Sequence, residues 1–341
     1  MTLLYKIVFL STLMAGTLVS ISSNSWLGVW MGLEMNLLSF IPLMNNSKNP
    51  RSTEASLKYF ISQALASMVL LMAMMINSVY SDLSSNLLLK EMPCMWMTTA
   101  LFIKMGAAPF HFWFPEVMEG LSWMNALVLL TWQKIAPMAV LMYLNTNEIF
   151  MITVIITSTI IGGLMGLNQT SMRKIMAYSS INHISWMLSA MMFSESLWKW
   201  YFIIYSAMNL LIVWTLNKLN ISSTPQITMM STMNPSLKIF FVLNFFSMGG
   251  IPPFIGFLPK WFTIQSLATN QMYLMACLMI IITLITLYFY MRIVIPPVNM
   301  TNSGTLAMLG LKGTFKKKSL TLMNSILLMS LPLATMAFNW T

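Results

Sequence analysis

The chain has 341 residues, of which 57% are hydrophobic and only 8% are charged. Soluble domains carry about 25% charged residues, so this composition excludes a water-soluble globular fold and predicts an all-α polytopic membrane protein. The formal net charge is +10, but the basic residues lie between apolar runs and are not interleaved with aromatic residues, so nucleic acid is not an expected partner.

Eleven apolar runs follow one another along the chain, each bounded by polar residues or by Pro and Gly. A membrane-spanning helix needs about 20 apolar residues. Its backbone amides must pair within the segment, which predicts helices and not strands. We therefore predict about eleven transmembrane helices, near residues 3–22, 24–43, 54–77, 94–114, 121–144, 149–168, 172–193, 197–219, 237–257, 271–294 and 319–339.

Two features of the sequence indicate the inner mitochondrial membrane. Methionine accounts for 38 residues, many where Ile or Leu would serve equally. Such a bias is expected of a genetic code that reassigns an isoleucine codon to methionine, as the code of animal mitochondria does. The first span carries one base, Lys6, and no arginine, unlike an amphipathic transit peptide. We therefore expect a protein made inside the organelle.

The loop charges predict the orientation of the chain. With the N-terminus in the matrix, the intermembrane side carries only Lys90 and Lys199 as loop bases, and the other loop bases lie on the matrix side. The positive-inside rule then predicts a matrix N-terminus and a C-terminus in the intermembrane space. The loop at 295–318 is expected to be a solvated matrix loop, with contact to anionic phospholipids as the alternative.

Two segments of the chain echo each other. Residues 105–115 and 248–259 each place Gly and Pro inside an apolar run, and proline kinks or breaks a helix. Paired interrupted helices are typical of inverted-repeat transporters. We therefore predict two inverted five-helix repeats with one broken helix each, at 1–147 and 148–295, and then a matrix loop and a C-terminal helix at 296–341.

Three charged residues lie where lipid should exclude them: Glu34 in the second span, Lys104 in the fourth and Lys134 in the fifth. Each lysine is about ten residues, or about 15 Å, from either helix end, which is too far for its side chain to reach water. A central charge costs roughly 2.5–3.5 kcal/mol. A packing salt bridge is one explanation, but Glu34 can neutralise only one lysine.

The other explanation is a proton path. Burial disfavours a charged ammonium and a nearby carboxylate favours it, so Glu34 would tune Lys104, and Lys134 would be the next acceptor. Asn36, Thr131 and Gln133 are candidates to hold the connecting waters.

Lys260 follows the second interruption, and its depth is open from the sequence. If the ninth span continues past the break, Lys260 is buried in a broken helix as Lys104 is. If the span stops at Pro259, Lys260 is a helix-end residue whose side chain reaches the interface. The repeat favours the buried position.

No cofactor or metal site is expected in this chain. Cys94 and Cys277 form no CxxC pair, two histidines support zinc or haem ligation poorly, and no dinucleotide or P-loop motif is present. His111 and His183 are candidate proton relays. A packing role, with each ring bonded to a neighbouring carbonyl, explains them equally well.

Five segments resemble the antiporter-like membrane subunits of respiratory complex I, the proton-translocating NADH:ubiquinone oxidoreductase. The most specific are PFHFWFP and GGIPPFIGFLPKW, and the matching segments lie at 32–40, 53–60, 104–120, 168–186 and 249–261. The resemblance implies that Glu34 and Lys104 form a carboxylate–lysine pair, that Lys134 is the central relay and that Lys260 belongs to the second broken helix.

The resemblance also implies an enzyme complex whose electron transfer from NADH to ubiquinone takes place outside this chain. The partners it implies are the membrane-arm subunits 4 and 4L, the lateral helix of subunit 5, and supernumerary subunits. Two alternatives stay open: a stand-alone cation/proton antiporter of the same fold, and a structural subunit whose buried charges no longer conduct.

Overall fold

The structure is a computed structural model that describes residues 2–45, 49–83, 87–144, 146–228 and 235–299. Regular structure in these ranges is helical, apart from one isolated β-bridge between Ser171 and Ser223. The predicted eleventh span lies outside the described residues. In chain order the helices are α1 (Thr2–Ser22), α2 (Trp26–Met44), α3 (Pro50–Leu83), α4 (Leu87–Met105), α5 (Trp113–Gly120), α6 (Trp123–Leu130), α7 (Trp132–Met142), α8 (Glu148–Leu164), α9 (Met172–Met191), α10 (Glu195–Leu219), α11 (Thr224–Thr228), α12 (Pro235–Gly249), α13 (Phe257–Thr269) and α14 (Tyr273–Asn299).

Six helices in the described ranges are long and apolar enough to cross a membrane: α1, α2, α3, α6 together with α7, α10 and α14. Large apolar side chains such as Leu4, Leu27 and Leu284 are exposed on them, as expected of a surface that faces lipid. The predicted class, an all-α polytopic membrane protein, is thus confirmed. The total of eleven helices and the inverted repeats stay predictions.

The described chain divides into two compact units, the first ending at Ser158 and the second beginning at Thr159. The predicted repeats at 1–147 and 148–295 stay predictions. In the first unit, α1 packs directly on α2 because Gly16 of α1 and Gly32 of α2 both lie at the contact. A Cβ at Gly32 would lie 2.5 Å from the backbone nitrogen of Ser20. Small residues allow such close approach of membrane helices, and here they fix α2, the helix that carries Glu34.

The first broken helix consists of α4 and α5. α4 ends at Met105, and Gly106 follows with a φ of +74°, in the left-handed region that favours glycine. The amide of Ala107 donates to the Phe102 carbonyl at 3.0 Å, which closes the helix as a Schellman motif does.

The predicted fourth span, 94–114, is therefore wrong at its C-terminal end. The helix stops at Met105, and the apolar run resumes as the half-helix α5, which reaches Gly120. The left-handed Gly106 and the missing N–H of Pro109 end the first half. Hydropathy alone does not divide the run, because apolar residues continue through the break.

The second broken helix, α12 with α13, has the same backbone turn. Gly250 follows α12 with a φ of +79°, and the amide of Ile251 donates to the Phe246 carbonyl at 3.3 Å. Gly250 lies 144 residues after Gly106, and the same offset relates the donors and acceptors of the two bonds. In this register Lys260 stands opposite Glu116. The predicted pairing of segment 105–115 with segment 248–259 is therefore wrong by one residue at its start. Met105 stands opposite Gly249 and not opposite Met248.

A third interruption, between α6 and α7, was not predicted. Thr131 separates the two helices with φ −116° and ψ −71°, and its hydroxyl donates to the Leu127 carbonyl at 2.8 Å. Such bonding from Ser or Thr to the carbonyl four residues earlier bends helices. The hydroxyl uses its only donor in this bond and keeps its acceptor lone pairs, so the role of Thr131 in holding a connecting water stays a prediction. The interruption puts Lys134 in the first turn of α7.

Candidate functional site

Glu34 and Lys104 lie near each other in the first unit without touching. The carboxylate of Glu34 on α2 acts electrostatically on the Lys104 amine. Lys104 is only 7% exposed, and within the described chain neither its Nζ nor the buried Oε1 of Glu34 has a hydrogen-bond partner. The predicted pair is therefore a through-space pair and not a direct salt bridge.

A small polar cavity adjoins Lys104. Its volume is about 10 Å³, roughly the space for one water molecule. Gln133 donates from Nε2 to Oδ1 of Asn36 at 3.1 Å, and the Tyr59 hydroxyl donates to Oε1 of Gln133 at 3.4 Å. The cavity is thus bordered by an ordered hydrogen-bond chain, and its lining consists of Asn36, Tyr59, Gln63, Lys104 and Gln133 with Leu33, Leu37 and Pro137.

Lys134 follows Gln133 directly and is 1% exposed. Its amine lies 5.5 Å from the centre of the Phe114 ring, which stabilises a buried cation through the ring quadrupole. Phe114 belongs to the half-helix α5, whose first residue, Trp113, donates from Nε1 to the Ile103 carbonyl at 3.0 Å. The first broken helix therefore contributes Lys104 from one half and the aromatic neighbour of Lys134 from the other.

Lys260 lies in the first turn of α13 in the second unit and is 6% exposed. Its amine donates to the Gly249 carbonyl at 2.8 Å and lies 6.0 Å from the centre of the Trp186 ring. Lys260 is therefore buried in a broken helix, as the repeat predicts, and is not an interfacial helix-end residue.

The two histidines have different surroundings. Nδ1 of His111 lies 3.3 Å from the Pro109 carbonyl, within the first break, which is the partner that a packing role predicts. His183 is 2% exposed on α9, and its Nδ1 lies 3.0 Å from the Tyr201 hydroxyl. A hydroxyl both donates and accepts protons, so this contact suits a relay better than the contact of His111.

An ion-pair cluster lies apart from the buried lysines. Lys58 on α3 contacts Glu54 at 2.7 Å and Glu116 at 2.8 Å. All three side chains are substantially exposed. The cluster ties the half-helix α5 to α3. In the described ranges no group of three or more His, Cys, Asp or Glu residues could hold a metal ion.

Sequence reasoning missed Tyr59, Gln63 and Phe114 as parts of the site. A signal for the first two was present, because they belong to a polar stripe on α3 with the spacing of one helix face. The stripe is buried throughout and consists of Ser52, Ser56, Tyr59, Gln63 and Ser67. Phe114 carries no comparable signal, since an aromatic residue in an apolar run is ordinary.

The chain matches the family described as NADH:quinone oxidoreductase/Mrp antiporter, transmembrane, over residues 23–286. It is similar to proteins named NADH-ubiquinone oxidoreductase chain 2. The one from Anopheles gambiae is 54% identical over 289 residues, which are 84% of each chain. The one from Bos taurus is 42% identical over 317 residues, which are 92% of this chain and 89% of the relative.

Two solved structures share the fold. A chain of respiratory complex I from Thermus thermophilus aligns with a TM-score of 0.83 at 21% identity, over 96% of this chain and 78% of that one. A chain of the Mrp complex from Dietzia sp. aligns with a TM-score of 0.75 at 16% identity, over 84% of this chain and 59% of that one. By its match and its relatives, this chain belongs to the NADH:quinone oxidoreductase/Mrp antiporter transmembrane family, among the members named NADH-ubiquinone oxidoreductase chain 2.

Proposed function

We propose that this chain is a proton-translocating core subunit of the membrane arm of NADH:ubiquinone oxidoreductase, respiratory complex I, in the inner mitochondrial membrane. Its relatives carry the name of that enzyme, and a complex I chain shares its fold. Electron transfer from NADH to ubiquinone takes place in other subunits. This chain moves protons from the matrix to the intermembrane space through buried lysines.

The observation that carries the proposal is the Lys104 amine, buried beside a polar cavity and in the field of Glu34. A buried ammonium without a hydrogen-bond partner is costly, so the protonated form of Lys104 depends on a nearby negative charge. A change in the charge or position of Glu34 then shifts Lys104 between holding and releasing its proton.

The first unit offers the next step of the route. A water in the cavity would contact both Lys104 and the Gln133 amide. Lys134 lies on the same helix as Gln133 but does not line the cavity itself, and it is the proposed next acceptor. The amides of Gln133 and Asn36 do not themselves carry protons; they orient the water. Lys134 accepts the proton beside the face of Phe114.

The second unit contributes Lys260, and His183 with Tyr201 is its candidate relay. His111, bonded to the Pro109 carbonyl, is the weaker relay candidate. In the proposed arrangement two inverted five-helix repeats each hold one broken helix, and an eleventh helix follows. The N-terminus lies in the matrix and the C-terminus in the intermembrane space, because the loop bases cluster on one side.

The partners that follow from complex I membership are the membrane-arm subunits 4 and 4L, the lateral helix of subunit 5, supernumerary subunits and phospholipids. The exposed apolar side chains of the described helices, Leu4 at 72% and Met68 at 68% among them, are suited to lipid or to neighbouring membrane helices.

The proposal is tested by Lys134→Met in the assembled complex, with the number of protons moved per electron as the readout. Methionine keeps most of the side-chain length and removes the proton site. Lys199→Met, at a side chain that is 61% exposed, is the control. We expect a lower ratio for Lys134→Met and the native ratio for Lys199→Met. An unchanged ratio in Lys134→Met would make this chain a structural subunit.

A second candidate function is a stand-alone cation/proton antiporter. The likeness to a chain of the Mrp complex favours it at the level of fold. The two functions differ in assembly. Mild detergent extraction should release the chain within a large complex that oxidises NADH, whereas an antiporter would be recovered as a smaller particle without that activity.

A further inference from the structure

The second unit has no carboxylate to serve its buried lysine. Glu195 is the one acidic residue after position 158 in the sequence. It is exposed at the start of α10 and contacts Lys199 at 3.4 Å. Lys260 therefore lacks a partner such as Glu34, which acts on Lys104 in the first unit.

A helix end takes the place of the missing carboxylate. The Lys260 amine donates to the carbonyl of Gly249 at 2.8 Å, and Gly249 is the last residue of α12. The last carbonyls of a helix have no partner within it and carry the negative end of the helix dipole. The amine thus binds one of the negatively polarised carbonyls at the end of α12.

Gly250 makes this contact possible. A Cβ at Gly250 would lie 2.8 Å from Cδ and 2.9 Å from Nζ of Lys260, whereas one at Gly249 would come no closer than 3.7 Å to any neighbour. Two adjacent glycines therefore differ sharply. The bare Cα of Gly250 is the surface against which the lysine lies, and Gly249 has room for a methyl group.

The first unit uses the same backbone turn differently. A Cβ at Gly106 would meet the Phe114 side chain at 3.1–3.2 Å, and its three nearest atoms all belong to that side chain. The residue that stands opposite Lys260 in this register is Glu116, which is exposed and paired with Lys58. The contact between a lysine and a helix end is therefore a property of the second break.

We propose that the Gly249 carbonyl at the end of α12 is the fixed counter-dipole of Lys260, and that Gly250 is the positioning residue that holds the amine against it. The second unit then governs its lysine by opening and closing the helix break, whereas the first unit uses a carboxylate. This inference rests on the proposed function for the role of Lys260 in proton transfer, but the contact itself can be tested separately.

The first test replaces Gly250 in the assembled complex and uses Thr269→Ala, at an exposed position of the same half-helix α13, as the control. Gly250→Ala should lower the number of protons moved per electron, and Thr269→Ala should keep the native ratio. Gly250→Asn tests whether the added Cβ or the backbone conformation causes the loss. Asn tolerates a positive φ but still brings a Cβ against the lysine, so it should also lower the ratio. A native ratio in assembled Gly250→Ala or Gly250→Asn overturns the proposal, as does an equal loss in Thr269→Ala.

The second test needs no change at either glycine. In Lys260→Met the bond to Gly249 is lost, so amide hydrogens at 250–251 and 254–258 should exchange with deuterium about tenfold faster, the change given by about 1.4 kcal/mol of lost stabilisation. Lys134→Met should leave their exchange unchanged. Native exchange in Lys260→Met overturns the contact proposed here. Faster exchange with a native proton ratio supports the contact and overturns the proton-transfer role of Lys260.

Discussion

Gln133 donates a hydrogen bond from Nε2 to Oδ1 of Asn36 at 3.1 Å and thereby joins α7, which carries Lys134, to α2, which carries Glu34. The same amide accepts from the Tyr59 hydroxyl of α3 at 3.4 Å. One buried side chain therefore sets the relative positions of three helices around the cavity beside Lys104.

Replacing Gln133 with leucine removes both bonds at nearly constant volume. Asn36 and the Tyr59 hydroxyl then lose a partner, and a buried polar group without one costs about 1–3 kcal/mol. We expect a lower melting temperature of the complex and a lower proton-to-electron ratio. Gln169→Leu, which breaks an exposed bond to the Met165 carbonyl, should change neither. Equal effects of the two variants would contradict the role given to Gln133.

Gly32→Ala tests the contact between α1 and α2. A Cβ at Gly32 would approach the Ser20 backbone nitrogen to 2.5 Å, so the helices must separate, and overpacking of this kind costs about 1–3 kcal/mol. We expect less assembled complex on native gels and a lower melting temperature. Gly249→Ala, which has room for its methyl group, is the control. Normal assembly of Gly32→Ala would show that the helices do not pack as closely as described.

Lys58→Met should have a small effect. Lys58 contacts two carboxylates, but its own side chain is 41% exposed and those of Glu54 and Glu116 are 63% and 56% exposed. Exposed ion pairs contribute little to stability because water and salt screen them. We expect a slightly lower melting temperature at low salt, no difference from the native complex at high salt, and a native proton ratio. A large loss of proton transfer would place Lys58 on the route, contrary to the present assignment.

Tyr201→Phe distinguishes the two roles considered for His183, proton relay and helix packing. The variant keeps the ring and removes the hydroxyl that lies 3.0 Å from Nδ1 of His183. We expect the proton-to-electron ratio to fall, since the relay loses a neighbour. Tyr273→Phe, at a side chain that is 64% exposed, should have no effect. Lower stability with a native ratio would assign His183 to packing.

The sequence predicts the helices of this protein well because lipid imposes a simple rule on them. Each of the ten predicted runs up to residue 294 contains or overlaps a described helix. The breaks at Gly106 and Gly250 are also predictable, since Gly and Pro interrupt the apolar runs. The interruption at Thr131 is not, because a threonine carries no such signal: Thr157 donates the same type of bond to the Thr153 carbonyl inside the unbroken helix α8.

The candidate site also has a part that the sequence predicts and a part that it does not. Glu34, Lys104 and Lys134 are evident from the sequence because a charge in an apolar run is costly. The surroundings of these residues and of Lys260 are not evident, because the Phe114 ring, the Gln133 amide and the Gly249 carbonyl come from other helices or half-helices. Such contacts depend on how helices pack, and a single sequence does not record which residues meet.

The most direct test of the account is the proton-to-electron ratio of assembled Lys104→Met complex, measured in sealed vesicles during NADH oxidation. The buried Lys104 amine lines the polar cavity and is the amine on which the Glu34 carboxylate acts. We predict a ratio below that of the native complex, with NADH oxidation continuing. A native ratio in fully assembled Lys104→Met complex would contradict it.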